Sequence, residues 1–145
     1  MIKTSGSISL IFRGSDGRIK SRRVVKNLIV NLGKYEITKH LNQSESGSQP
    51  YYIGIGTDAT PPAVGQTALL AEIGTRQAIP SPTRNNNVVT YPSAAFGPGN
   101  GTGTITEAGL FFAVTAGLMF CRATFTGIPK GAGDSLTVTW TVTVG

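Results

Sequence analysis

Hydrophobic and polar residues alternate almost without fault along the closing segment DSLTVTWTVTVG. Leu136, Val138, Trp140, Val142 and Val144 fall on one side of an extended chain, and Ser135, Thr137, Thr139, Thr141 and Thr143 on the other. Helical spacing would scatter these apolar residues round an axis, so the pattern predicts a strand with one core face. Threonine's branched Cβ suits a pleated backbone, and its methyl tolerates partial burial. The threonine side is then either a wetted sheet surface or a face that meets another subunit.

The same period opens the chain. In GSISLIFR, Ile8, Leu10 and Phe12 share a face; GSDG supplies turn residues, and RIKSRRVVK completes a hairpin. The second strand sets Ile19, Ser21, Arg23 and Val25 against Arg18, Lys20, Arg22, Val24 and Lys26. A row of like charges repels itself unless something acidic faces it. It serves either to bind such a partner or to keep an edge strand from aggregating.

The period then changes. In NLIVNLGKYEITKHLNQ, Val30, Lys34, Ile37 and Leu41 follow helical spacing, as do Leu28, Leu32 and Tyr35. This predicts one helix over 28–42, with Asn27 or Asn31 as its cap and SESGSQ as a flexible loop behind it. Tyr51 to Gly56 read as a short strand whose glycines imply close approach by neighbouring backbone. Thr67 to Ile73 form either one helical turn or a docked extended arm. Pro80 and Pro82 confine TRQAIPSPTR to an edge or loop, and VVTYPSAAF is a further strand.

TITEAGLFFAV and LMFCRATFT predict another hairpin, turning at Thr115 and Ala116. Thr106, Ala108, Leu110, Phe112, Met119, Cys121, Ala123 and Phe125 then share a nearly apolar face. On the opposite face Phe111 sits across from Phe120, and Glu107 reaches Arg122 diagonally. Those phenylalanines are either covered by the chain itself or offered to a partner.

About eight strands with one inserted helix predict an all-β fold, a two-sheet β-sandwich or jelly roll. A chain of 145 residues makes one domain, divided into the basic N-terminal hairpin (1–26), the helix (28–42) and the remaining strands (51–145). Charged residues are only 14% of the chain, with a net charge of +6, and 19 glycines agree with many turns. Residues 1–40 hold nine Lys or Arg against two acids, for +7, so the rest is at −1. That asymmetry calls for an acidic partner or nucleic acid near the first hairpin. No aromatic residues interleave with the hairpin's cations, which disfavours a single-strand stacking platform and leaves phosphate contact possible.

Catalytic chemistry has little to draw on. His40 reads as a helix-end residue and Cys121 as an inert core thiol. Seven carboxylates are spread singly, and one Cys with one His does not fill a zinc site. GPGNGTGT lacks the Lys-Ser/Thr ending of a phosphate loop and runs into a strand, so it is a connector. The chain is therefore read as a non-enzyme without catalytic, metal or cofactor-binding residues. The longest apolar run, AGLFFAVTAGLMFC, is too short to span a bilayer as a helix. No membrane partner is expected, and the reading is a soluble protein made in a reducing cytosol.

KNLIVNLGK, YIGIGTDATPPAVGQTALLAE, ITEAGLFF and above all GLMFCRATFTGIPKGAGDSLTVTWTVTV together resemble small virion proteins of tailed bacteriophages and prophages. The resemblance runs from about Lys26 to the end. It implies a structural protein of the virion made in the bacterial host cytoplasm, foremost a decoration or cement protein that binds and stabilises the outer capsid. A head-to-tail connector or minor tail protein is the alternative, and a non-specific nucleic-acid-binding module a weaker one. The partner would be the major capsid protein or another virion protein, with self-association into a homo-oligomer. Contact residues would be Arg18, Lys20, Arg22, Phe111, Phe120, Arg122, Thr137, Thr139, Thr141 and Thr143. A carbohydrate-binding tip would instead need an exposed platform from Tyr51, Tyr52 and Tyr91.

Overall fold

The structure, a computed structural model, describes residues 3–42 and 49–145, with the backbone alone at Ser93. The expected SESGSQ loop lies largely outside the described residues. Ten strands and one helix follow in the order β1 (Thr4–Arg13), β2 (Ile19–Lys26), β3 (Leu28–Ile29), α1 (Asn31–Leu41), β4 (Tyr52–Gly56), β5 (Glu72–Ala78), β6 (Thr83–Asn85), β7 (Val88–Phe96), β8 (Gly103–Phe111), β9 (Met119–Lys130) and β10 (Ser135–Val144). Every strand pairing is antiparallel.

Two five-stranded sheets form a β-sandwich with one inserted helix. Sheet A has the order β2-β1-β10-β7-β6, and sheet B the order β3-β9-β8-β4-β5. The alternating residues of β10 and β1 explain their place at the middle of sheet A. Leu136, Val138, Trp140 and Val142 pair with Phe12, Leu10, Ile8 and Gly6, and the apolar members of both rows are buried. From sheet B, Ile53, Ile55, Ile105, Ala108, Leu110, Cys121 and Ala123 meet them across the core.

The helix is shorter than its periodicity predicts. Leu28 and Ile29 are extended and pair with Arg122 and Cys121 of β9, so the helix begins only at Asn31. The cap position falls to Val30, which has no side-chain cap bond; the N–H of Asn31 donates instead to the carbonyl of Val64, 2.8 Å away. Tertiary pairing has overridden the local capping signal. Gly33 allows the helix to lie against β9, since a Cβ there would strike the Phe120 carbonyl oxygen.

The hairpin of β8 and β9 has the expected register over four consecutive pairs, Glu107 with Thr124 through Leu110 with Cys121. A bulge then leaves Phe120 without a partner and sets Phe111 opposite Met119. The anticipated Phe111/Phe120 pair is thereby split. Phe120 turns into the main core, where it meets Phe112 edge-on at 5.9 Å, and Phe111 turns to the other side of sheet B.

Candidate docking face

The outer side of sheet B is covered by the chain itself. Residues 57–71 cross it as a docked arm whose Leu69 packs with Phe111, Met119 and Val30. Arg122 and Glu107 anchor that arm. Glu107 accepts hydrogen bonds from the N–H groups of Leu70 (3.2 Å) and Ala71 (2.7 Å) and from Arg122 Nε (2.9 Å). Arg122 Nη1 donates to the Thr60 carbonyl (2.8 Å) and to Gln66 Oε1 (3.2 Å), while Nη2 lies 2.8 Å from Glu107 Oε2 and 3.6 Å from Asp58 Oδ1. Hydrogen bonds from the Thr60 hydroxyl and N–H hold the Asp58 carboxyl below the ordinary carboxylate range, with a smaller pull from Arg122.

A second arginine ties β5 to the turn between β8 and β9. Arg76 Nε and Nη2 grip both oxygens of Glu72, at 2.6 and 2.9 Å, and Nη1 donates to the carbonyls of Ala113 and Ala116. Its guanidinium carbon lies 3.5 Å from the centre of the Phe111 ring. Gly54 and Gly109 make room for that ring: a Cβ at either would lie 3.0 or 2.8 Å from Phe111 Cε2. The backbone approach expected at the glycines of YIGIG is found at Gly56, where the Ala71 carbonyl and the Glu107 carboxylate close in, whereas at Gly54 the near neighbours are side chains, Phe111 foremost.

These contacts correct three expected partner residues. Phe111, Phe120 and Arg122 are 0%, 5% and 0% exposed, so they are structural and not surface contacts. The diagonal Glu107–Arg122 pairing is present as expected. In the sequence the only sign of the Arg76 clamp is that Glu72 and Arg76 have the same strand parity. Its geometry depends on irregular pairing between β4 and β5 and on Gly74 at φ +69°, which periodicity does not encode.

Sheet A presents a different surface. On its outer side Thr137, Thr139, Thr141 and Thr143 lie beside Ile11, Ser9, Ser7 and Ser5 of β1, and beyond them stand Arg22, Val24 and Lys26 of β2. All four threonines remain partly exposed, and Val24 is 76% exposed. No Asp or Glu occurs in any strand of this sheet. Its strands carry Arg13, Lys20, Arg22, Arg23, Lys26 and Arg84.

The cationic row is shorter than its sequence. A bulge between Phe12 and Arg13 leaves Lys20 unpaired with β1 and brings its ammonium to Asp134 Oδ1 (3.3 Å) and 5.2 Å from the centre of the Phe12 ring. Lys20 is therefore withdrawn from the row. Arg18 lies in the hairpin turn, 3.9 Å from Asp16, and Arg23 donates to the Thr126 carbonyl. Arg22 and Lys26 remain on the outer face, joined there by Arg13 opposite Ser135.

An open cleft of about 490 Å³ lies between α1 and the β6–β7 end of sheet A, lined by Ile37, His40, Arg84, Tyr91, Phe120 and Val142 among others. Tyr91 is buried, and that burial raises its phenol above the ordinary value. It does not join Tyr51 and Tyr52 in an exposed platform. Burial likewise pushes the Cys121 thiol well up. Among the described residues no three His, Cys, Asp or Glu side chains gather as a metal site, and no helix is long and apolar enough to cross a membrane. No protein-family model matches the chain, and no curated protein matches it in sequence.

Proposed function

We propose that this chain is a structural protein of a bacteriophage virion, one that decorates the outer capsid shell and docks through the outer face of sheet A. The observation that carries this reading is the character of that face: hydroxyl ladders on two central strands, cations along one margin, and no carboxylate in any of its five strands. Threonine and serine give shallow packing and adaptable hydrogen bonds, suited to a surface that is wetted before assembly and partly dry afterwards. The covered side of sheet B supports the same orientation, because its arginines are spent within the chain. The resemblance of the strand and turn segments to small phage virion proteins supplies the setting.

Immunogold labelling of intact virions with an antibody to this chain tests the reading. Label at many sites over the head is the expected result. Label confined to neck or tail replaces decoration with a connector or minor tail role, and absence of label returns attention to nucleic-acid binding.

A further inference from the structure

We infer that the exposed edge of β2 is a strand-addition site for an extended segment of a different chain, with the side-chain pattern acid–x–apolar–x–acid. The inference rests on the docking reading above only for the setting in which that segment is met. β2 is the outermost strand of sheet A, so its far edge has no strand neighbour among the described residues. An edge of this kind offers backbone donors and acceptors to an incoming strand. Arg22, Val24 and Lys26 project from its outer side at intervals of roughly 7 Å. A strand added there sets its own side chains about 5 Å from these three, in matching alternation.

Val24 decides between the ways of using such an edge. Charge placed only to repel other strands gains nothing from a β-branched apolar residue 76% exposed between two cations. A phosphate backbone gains nothing from it either, and Lys20 is turned to Asp134, which thins the positive row. An extended peptide uses all three positions: two carboxylates meet Arg22 and Lys26, and an apolar residue covers Val24.

A second copy does not supply this segment from a sheet edge. The other edge of sheet A, β6, is Thr-Arg-Asn, and β2 against itself opposes cation to cation. In sheet B the edge strand β3 is Leu-Ile, and β5 has one acid, Glu72, already gripped by Nε and Nη2 of Arg76. The complementary strand therefore comes from another protein.

The test is an NMR titration of the full chain with a capped peptide Thr-Glu-Thr-Val-Thr-Glu-Thr, with its Glu-to-Lys analogue, and with a short DNA duplex. The acidic peptide should shift amides of residues 19–26 and slow their hydrogen exchange. Binding should weaken at least about tenfold in the double variant Arg22→Glu/Lys26→Glu, as expected when two attractive pairs become repulsive. Val24→Asp should weaken it severalfold while leaving the spectrum elsewhere unchanged. No response at millimolar acidic peptide, an equal response to the lysine analogue, or unchanged binding after N-methylation of alternate peptide residues would overturn strand addition. Tighter binding of the duplex through the same residues would overturn it in favour of nucleic acid. Labelled virions with a silent titration reject the strand site alone, whereas peptide binding with unlabelled virions rejects the virion setting alone.

Discussion

Arg122 and Glu107 show how much of a small β-protein's stability can hang on one polar contact. Both are fully buried, and each carries bonds to the arm as well as to the other. Removing one partner leaves a charge buried without its counterpart, which typically costs about 3–5 kcal/mol. Arg122→Ala should therefore lower the urea midpoint severely, with Trp140 emission as the probe because that side chain is fully buried in the native state. Gly109→Ala should also destabilise, by about 1–3 kcal/mol, since its Cβ would press on both Phe111 and Leu69. Cys121 should resist an aromatic disulfide reagent until the protein is unfolded, because the thiol is buried and its ionisation suppressed. Rapid reaction in native buffer would contradict the packing described for β9.

At the scale of elements, helix α1 offers a test in which the sign itself is informative. Glycine to alanine inside a helix ordinarily stabilises by up to about 1 kcal/mol. Gly33→Ala should instead destabilise, because the new methyl would collide with the Phe120 carbonyl and lift the helix off β9. A raised melting temperature would show that the helix does not sit this close. The strands themselves were largely legible in the sequence, since period-two alternation survives wherever one face is buried. Ser135 to Val144 and the four pairs from Glu107 to Leu110 are placed as that alternation requires. Bulges were not legible. Those at Phe12/Arg13 and Leu110/Phe111 withdraw Lys20 from the cationic row and turn Phe120 into the core, and each reflects long-range fit. Leu28 and Ile29 belong to a short apolar run that suits either period, and pairing with β9 makes them a strand and not the first turn of the helix.

Across the whole molecule, charge is sorted by sheet. The carboxylates Asp58, Glu72 and Glu107 all lie within contact of arginine on the sheet B side, whereas the strands of sheet A have none. The pair Arg22→Glu/Lys26→Glu should change thermal stability by no more than about 0.5 kcal/mol per site, being at the surface, while removing binding to heads. Unchanged occupancy of heads at physiological salt would set this face aside as the contact. Where the β1–β2 hairpin turn meets the turn that crosses from β9 of sheet B to β10 of sheet A, the N–H of Gly131 and then Lys20 hold the Asp134 carboxyl below its ordinary value. A carboxyl lowered on folding stabilises fully above its unfolded pKa, near 4, and ceases to do so as pH falls through the lower folded value. Asp134→Asn should therefore melt lower than the parent at neutral pH, with the gap closing on acidification below about pH 4. A gap independent of pH would assign the difference to hydrogen-bond geometry alone.

The position of β10 between β1 and β7 also sets a schedule. Every other strand has been synthesised before Ser135, yet sheet A has no centre until the residues after it emerge. Sheet B holds all five of its strands by Lys130, so it is the half able to organise on the ribosome while the β1–β2 hairpin and the β6–β7 pair wait as separate pieces. The basic edge is thus exposed to the cell before the sheet that carries it exists. A nascent chain released just short of Ser135 should be protease-sensitive and prone to aggregate, and the threonine strand acts as the keystone that ends this vulnerable interval.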